Sequence, residues 1–257
     1  MTRYRAVLLD LGGVVYVGDE ALPGAIAAIE ALRDAGIAIR FLTNTTRTPR
    51  RVLLEKLQAM GVPVEAEELF TPASGARRIL QEEGLGAHLL IHPDLAEDFA
   101  GLPEDGAPAL VVGDAGEGFT YEAMNAAFRT LEKGARFLAL ANNKSFRDGD
   151  GELSLDAGPF VTALSFASGC EPVVLGKPSF AFFQAALESA GCPAAEAVMV
   201  GDDVENDVGG AMAAGLDGIL VRTGKFAAGD ETRIDPPPTA VLDSLAALPE
   251  WIASRGA

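Results

Sequence analysis

Short apolar runs that end on an acid or amide beside a turn constrain this chain more than any other feature. YRAVLLDLGG (4–13), IAIRFLTN (37–44) and AVMVGDD (197–203) are rich in strand formers and are too short for helices. Helical stretches separate them. Pro23-Gly24 opens AIAAIEALRDAG, whose Ile26, Ile29 and Leu32 keep helical spacing up to the stop at Gly36. TPRRVLLEKLQAMG follows the second run, FAFFQAALESAG precedes the third, and DVENDVGGAMAAG, the strand DGILV and PEWIASR complete the C-terminal third. Strand, helix, strand, helix predicts an α/β fold with a doubly wound parallel sheet.

Residues from about 84 to 169 carry their own signals, in HLLIH, PALVVG, YEAMNAAFRTLEKG, RFLALAN and GPFVTALSFASG. That is material for a second, smaller α/β unit inserted into the first. We expect a core of 1–78 and 172–257 and an insert of 79–171.

In an open parallel sheet, ligands bind outside the carboxyl ends of the strands. The polar residues collect at those ends: Asp10 after the first run, Thr43 and Asn44 after the second, Asp202 and Asp203 after the third. Singly, each reads as a turn or helix cap. Three at corresponding ends of one sheet point to a site. Two converging carboxylates, Asp10 and Asp202, repel unless a cation lies between them or one is protonated. Hard oxygen donors without nearby Cys or His favour Mg²⁺. Thr43 and Asn44 offer donors suited to phosphate oxygens. Lys177, in LGKPS, could balance the charge, although its spacing alone favours a solvated turn.

The formal net charge of −17 sets the partners. It disfavours nucleic acid and anionic membrane surfaces, and a phosphorylated ligand then needs local positive charge. No apolar window is long enough for a membrane span. MTRYRAVLLDLGG does not read as a secretory signal. Cys170 and Cys192 have no metal-type spacing, so a reduced, cytoplasmic setting is expected. P-loop and GxSxG patterns are absent, and His88 and His92 both fall in the insert.

LLDLGGVVY, FLTNTT, VVLGKPS and VMVGDDVENDVGGA resemble the four ordered motifs of the haloacid-dehalogenase (HAD) superfamily. The insert resembles the C2-type cap of its subclass IIA. GILVRTGKF and IDPPP are similar to the branch holding phospholysine phosphohistidine inorganic pyrophosphate phosphatase and its HAD-domain-containing relatives. The resemblance implies a HAD-like, Rossmannoid core with a cap domain, and a Mg²⁺-dependent phosphatase acting on a small phosphorylated substrate. It implies Asp10 as nucleophile, with the cation held by Asp10, the Gly12 carbonyl and Asp202. Thr43, Asn44 and the Thr45 backbone would hold phosphate, and Lys177 would neutralise phosphate and nucleophile. Asp207 would orient Lys177 or metal waters, with Asp203 beside it at the helix start. The resemblance also allows a homodimer through the cap.

The superfamily's usual DxD is DxG here: Gly12 stands where the general acid would be. That change favours good leaving groups such as phosphoramidates, pyrophosphate and aryl phosphates. A phosphatase of another small ester, such as a sugar phosphate or pyridoxal phosphate, is the alternative enzyme. A weakly catalytic domain binding a phospho-ligand or a protein is the alternative from outside enzymology. The loop 141–152, with Asn142, Asn143 and Lys144, is the cap segment expected to select the substrate.

Overall fold

In the computed structural model, residues 3–103, 105–147 and 152–255 are described. The chain begins with β1 (Ala6–Asp10), the small hairpin β2 (Tyr16–Val17) and β3 (Glu20–Ala21), α1 (Ala25–Asp34), β4 (Ala38–Leu42), α2 (Arg50–Ala59) and β5 (Leu69–Phe70). Next come α3 (Pro72–Glu83), β6 (Leu85–Leu90), β7 (Ala107–Val112), α4 (Tyr121–Leu131), β8 (Arg136–Ala139), the hairpin β9 (Ser145–Arg147) and β10 (Leu153–Leu155), α5 (Ala157–Ser168) and β11 (Val173–Val174). The last stretch holds α6 (Phe180–Ala190), β12 (Ala197–Gly201), a π-helical turn (Val204–Gly209), α7 (Gly210–Ala213), β13 (Asp217–Val221), β14 (Ala240–Leu242) and α8 (Leu248–Ala253).

Two compact units result, one of Met1–Thr43, Leu53–Phe70 and Lys177–Ala257, the other of Asn44–Val52 and Thr71–Gly176. The segment just after β4 thus belongs with the second unit.

The first unit is built on a six-stranded sheet in the order β14-β13-β12-β1-β4-β5, every pair parallel. Alternation along each strand splits its side chains between two faces. Val7 and Leu9 join Phe41, Val200 and Ile219 in a core covered by α1, α2 and α8, through residues such as Ile29, Leu57 and Ile252. Ala6, Leu8 and Met199 face the other way, onto Phe182, Phe183 and Leu187 of α6. Burial on both faces explains why these strands are apolar runs rather than alternating ones. Each fully buried Leu or Val contributes roughly 1.5–3 kcal/mol, so the carboxyl ends of β1 and β12 are anchored.

The second unit repeats the plan at smaller scale, with four parallel strands in the order β11-β8-β7-β6. One face packs Val111 and Leu138 on Ala76 and Leu80 of α3, and the other packs Leu110 and Phe137 on α4 and α5. Among the described residues, no helix is long and apolar enough to cross a membrane.

The stretch DVENDVGGAMAAG departs from the plain helix its sequence suggests. It opens as a π-helical turn over Val204–Gly209 and closes with the single α-turn Gly210–Ala213. Widened turns of this kind are frequent at functional sites.

Candidate active site

The strand order reverses at β1. The chain runs outward through β4 and β5 on one side, then returns to β12, β13 and β14 on the other. A crevice opens at such a switch point, outside the strand carboxyl ends. Asp10 is the last residue of β1 and lies opposite Leu42, the last residue of β4, so Thr43 is the first residue past that strand. Leu9 pairs with Val200 on the other side, which puts Asp202 two residues further along. Asp10, Thr43 and Asp202 are all buried, an uncommon state for carboxylates unless partnered.

Lys177 is the first partner. Its Nζ lies 2.5 Å from Asp10 Oδ1 and 2.6 Å from Asp207 Oδ1. It is only 4% exposed, contrary to the solvated turn that its spacing favours. The reason is tertiary: Lys177 lies just before α6, whose Phe182 and Phe183 are drawn onto the sheet. Asp207 comes from the π-helical turn and is buried. Gly201 makes that fold-back possible, since a Cβ there would fall 2.1 Å from Asp207 Cβ. Asp207 also accepts a hydrogen bond from Asp203 N–H at 3.2 Å.

Asp10, Asp202 and Asp207 each present a carboxylate oxygen within 4.8 Å of the others. Burial pushes Asp10 above the usual carboxylate range, against the pull of Lys177. Burial likewise lifts Asp207 and takes Asp202 up to about 6. By itself burial would lower Lys177, but Asp10 and Asp207 together outweigh it and hold the ammonium firmly charged. With all three carboxylates ionised, the cluster and its ammonium would sum to −3 + 1 = −2, a charge that a proton or a cation can relieve.

A buried excess of two negative charges is unfavourable unless compensated. A divalent cation fits it. The donors are hard oxygens, and Asp202 Oδ1 is a buried atom without a hydrogen-bond partner among the described residues. Its companion Oδ2 accepts the Lys225 N–H at 2.7 Å. The residues present therefore suit a hard cation such as Mg²⁺.

Asp203 takes a different position from Asp207. Its Oδ1 accepts the N–H groups of Glu205 and Asn206 at 3.1 and 3.0 Å, which caps the π-helical turn. Those donors, with the Asn206 amide, hold it below the usual range despite burial. Gly12 is exposed, and a Cβ built there meets nothing within 4 Å. Asn44 and Thr45 belong to the second unit, where a Cβ at Gly176 would come 2.7 Å from Asn44 Oδ1.

In the loop expected to select substrate, residues 148–151 lie outside the described ones. The backbone of Asn143 supports the start of α5, accepting Gly158 N–H at 3.0 Å. A cleft of about 800 Å³ in this unit is lined by Arg47, Asp114, Phe119, Phe146 and Phe160, among others. Arg47 is ion-paired with Asp114 at 2.6 Å and stacks over Phe146.

Sequence reasoning about strand ends did not reach Thr223, Gly224 and Lys225, which follow β13; Gly224 and the Lys225 N–H press on Asp202, and the Thr223 hydroxyl bonds the Gly13 carbonyl. The signal was available, since RTGK also follows an apolar strand of the same sheet.

Known proteins resemble this chain along nearly its whole length. The haloacid dehalogenase-like hydrolase family matches residues 7–116, and a HAD-hydrolase-like family matches residues 174–248. Human haloacid dehalogenase-like hydrolase domain-containing protein 2 is 42% identical over 240 residues, 93% of this chain and 92% of that protein. Phospholysine phosphohistidine inorganic pyrophosphate phosphatase of Danio rerio is 39% identical over 258 residues, 98% of this chain and 95% of its own. Among solved structures, p-nitrophenyl phosphatase from Archaeoglobus fulgidus superposes with a TM-score of 0.88 at 28% identity, covering 96% of this chain and 99% of that one. With such identity carried across nearly its whole length, the chain belongs to the haloacid dehalogenase-like hydrolases and is an enzyme of that family.

Proposed function

We propose that this protein is a Mg²⁺-dependent phosphatase that transfers phosphate from a small substrate to Asp10 and then to water. The observation that carries this reading is the buried cluster at the switch point, where Asp10 contacts Lys177 and a second acid keeps one oxygen without a hydrogen-bond partner among the described residues. The names of the relatives, two of them phosphatases, support it.

Asp10, the Gly12 carbonyl and Asp202 would hold the cation, with Asp207 behind them on Lys177. When bound, Mg²⁺ supplies positive charge that favours ionised Asp10 and Asp202 and offsets charge on the transferring phosphoryl oxygens. An Asp10 oxygen attacks phosphorus, the bond to the leaving group breaks, and the leaving group departs with its electron pair. Water then attacks the aspartyl-phosphate, releasing inorganic phosphate and restoring Asp10. Lys177 stays protonated throughout and is held in place by Asp207. The Thr43 hydroxyl, the Asn44 amide and the Thr45 N–H would steady the phosphate oxygens, while the second unit acts as the cap.

Gly12 narrows the substrate range. Two residues after Asp10 there is no side chain to give the leaving group a proton. Such a donor contributes typically 10²–10⁴-fold where protonation is needed. Leaving groups that depart without help are therefore favoured: pyrophosphate, aryl phosphates, and phosphoramidates whose nitrogen can be protonated beforehand. The Danio rerio relative carries two kinds of these in its name.

Phosphate release from p-nitrophenyl phosphate, pyrophosphate, phosphohistidine and glycerol phosphate, with Mg²⁺ or with chelator, tests the reading. Turnover should require Mg²⁺ and should be slowest on glycerol phosphate. Chelator-resistant turnover would contradict it.

Gly12→Asp probes the same point from the other side. The position is open to solvent and free of neighbours, and its φ lies outside the left-handed region, so a side chain fits. We expect kcat/KM on alkyl phosphomonoesters to rise roughly 10²-fold, with little gain on pyrophosphate. A folded variant that is no faster on glycerol phosphate would overturn the leaving-group account.

A further inference from the structure

Asp202 is gripped by one oxygen only. Oδ2 accepts the Lys225 N–H at 2.7 Å, while Oδ1 is buried with no partner among the described residues. Two glycines close around the gripped oxygen. A Cβ at Gly13 would fall 2.1 Å from Oδ2, and one at Gly224 would fall 2.0 Å from it. Both have left-handed φ, 82° and 64°, a region open to glycine at little strain. They also lie against each other, since the Gly13 Cβ would be 2.8 Å from Gly224 Cα.

A side chain ties the two loops together. The Thr223 hydroxyl donates to the Gly13 carbonyl at 2.5 Å, joining residues 210 apart in sequence. We propose that Thr223 is a positioning residue for the cation site. Its hydroxyl locks the loop after β13 against the loop after β1, so that the Lys225 N–H fixes Asp202 Oδ2 and leaves Oδ1 presented. The proposal rests on reading Asp202 as a cation ligand.

The physical basis is preorganisation. The terminal torsion of an aspartate is soft, so an ungripped carboxylate samples orientations and must be ordered when the cation arrives. Groups that orient a ligating carboxylate are worth about 10–100-fold in metal affinity. Thr223 acts one bond further out, through the loop, so the lower end of that range applies.

Calorimetric titration of Mg²⁺ into wild type, Thr223→Val and Thr223→Ser tests this, together with kcat and KM on p-nitrophenyl phosphate at graded Mg²⁺. We expect Thr223→Val to bind Mg²⁺ roughly ten-fold more weakly and to need correspondingly more Mg²⁺ for half-maximal rate. KM for the phosphate ester at saturating Mg²⁺ should be little changed, and serine, which keeps the hydroxyl, should restore affinity. Thr223→Ala, which removes the hydroxyl without adding volume, replaces valine if that variant does not fold. Wild-type Mg²⁺ affinity in the variants lacking the hydroxyl overturns the proposal, as does a serine variant as weak as valine. Absence of Mg²⁺ binding in wild type overturns the cation reading itself, a failure recognisable because it precedes any substitution.

Discussion

Asp10→Asn is expected to abolish phosphate release from every substrate, by a factor on the order of 10⁴ to 10⁶, the scale on which enzymes lose rate when their nucleophile is removed. The change is nearly isosteric, so Lys177 keeps an oxygen to donate to at the position now 2.5 Å from it. What disappears is the charge and the nucleophilic oxygen pair. Stability should move the other way. With every acid ionised, this variant's cluster would hold two carboxylates and one ammonium, a sum of −2 + 1 = −1 instead of −2. In chelator the variant should therefore unfold at a temperature no lower than wild type. Trading stability for a charged, unfavourable constellation is a common pattern at active sites. Parallel phosphate-release assays and thermal melts decide the matter. Activity surviving in a folded Asp10→Asn protein would remove Asp10 from the chemistry.

Lys177→Met should have the largest effect on stability. The lysine is buried and contacts two carboxylates, at 2.5 and 2.6 Å. Methionine keeps the volume and removes the only ammonium that these distances place in the cluster. Breaking a buried pair by deleting one partner costs about 3–5 kcal/mol, because the remaining charge is stranded. Here two acids lose the same ammonium, so urea unfolding in chelator should show a loss on that scale. Millimolar Mg²⁺ should recover part of it, since a ligand that binds only the folded state stabilises that state by mass action. A loss below about 1 kcal/mol in chelator would place the variant among ordinary surface substitutions and mean that the acids are not balanced by Lys177.

Asp10 and Asp202 are legible in the sequence because chemistry and topology coincide there. An apolar run buried on both faces must end somewhere, and an acid at that end lies where parallel sheets bind ligands. Lys177 is less legible. Nothing local in VVLGKPS distinguishes a lysine at a solvated turn from one drawn inward, and the outcome depends on Phe182 and Phe183 of α6 packing on a sheet far off in sequence. The separate positions of Asp203 and Asp207 depend on the π-helical turn, and simple helical periodicity does not foresee a widened turn. Thr223 and Lys225 are harder still, because they act through a hydroxyl on a backbone carbonyl and a backbone N–H. Contacts made by the main chain leave little trace in residue type. Gly12 is the reverse case: its identity speaks plainly, and the structure adds that the space around it is open.

The reversal of strand order at β1 also bears on how the protein is made. β1 carries residue 10, whereas its neighbour β12 spans Ala197–Gly201, and the Lys177–Asp10 contact closes a separation of 167 residues. During synthesis one long edge of β1 thus waits, unpaired, until most of the chain has emerged. An apolar edge in that condition is open to wrong pairing, and contacts so distant in sequence form slowly. The acid at its tip would meet its lysine and its companion acids only when β12 docks. Acquisition of Mg²⁺ binding would then mark the last stage of assembly, and nascent chains stopped before residue 197 would have every residue of β1 and β4 in place yet no cation site.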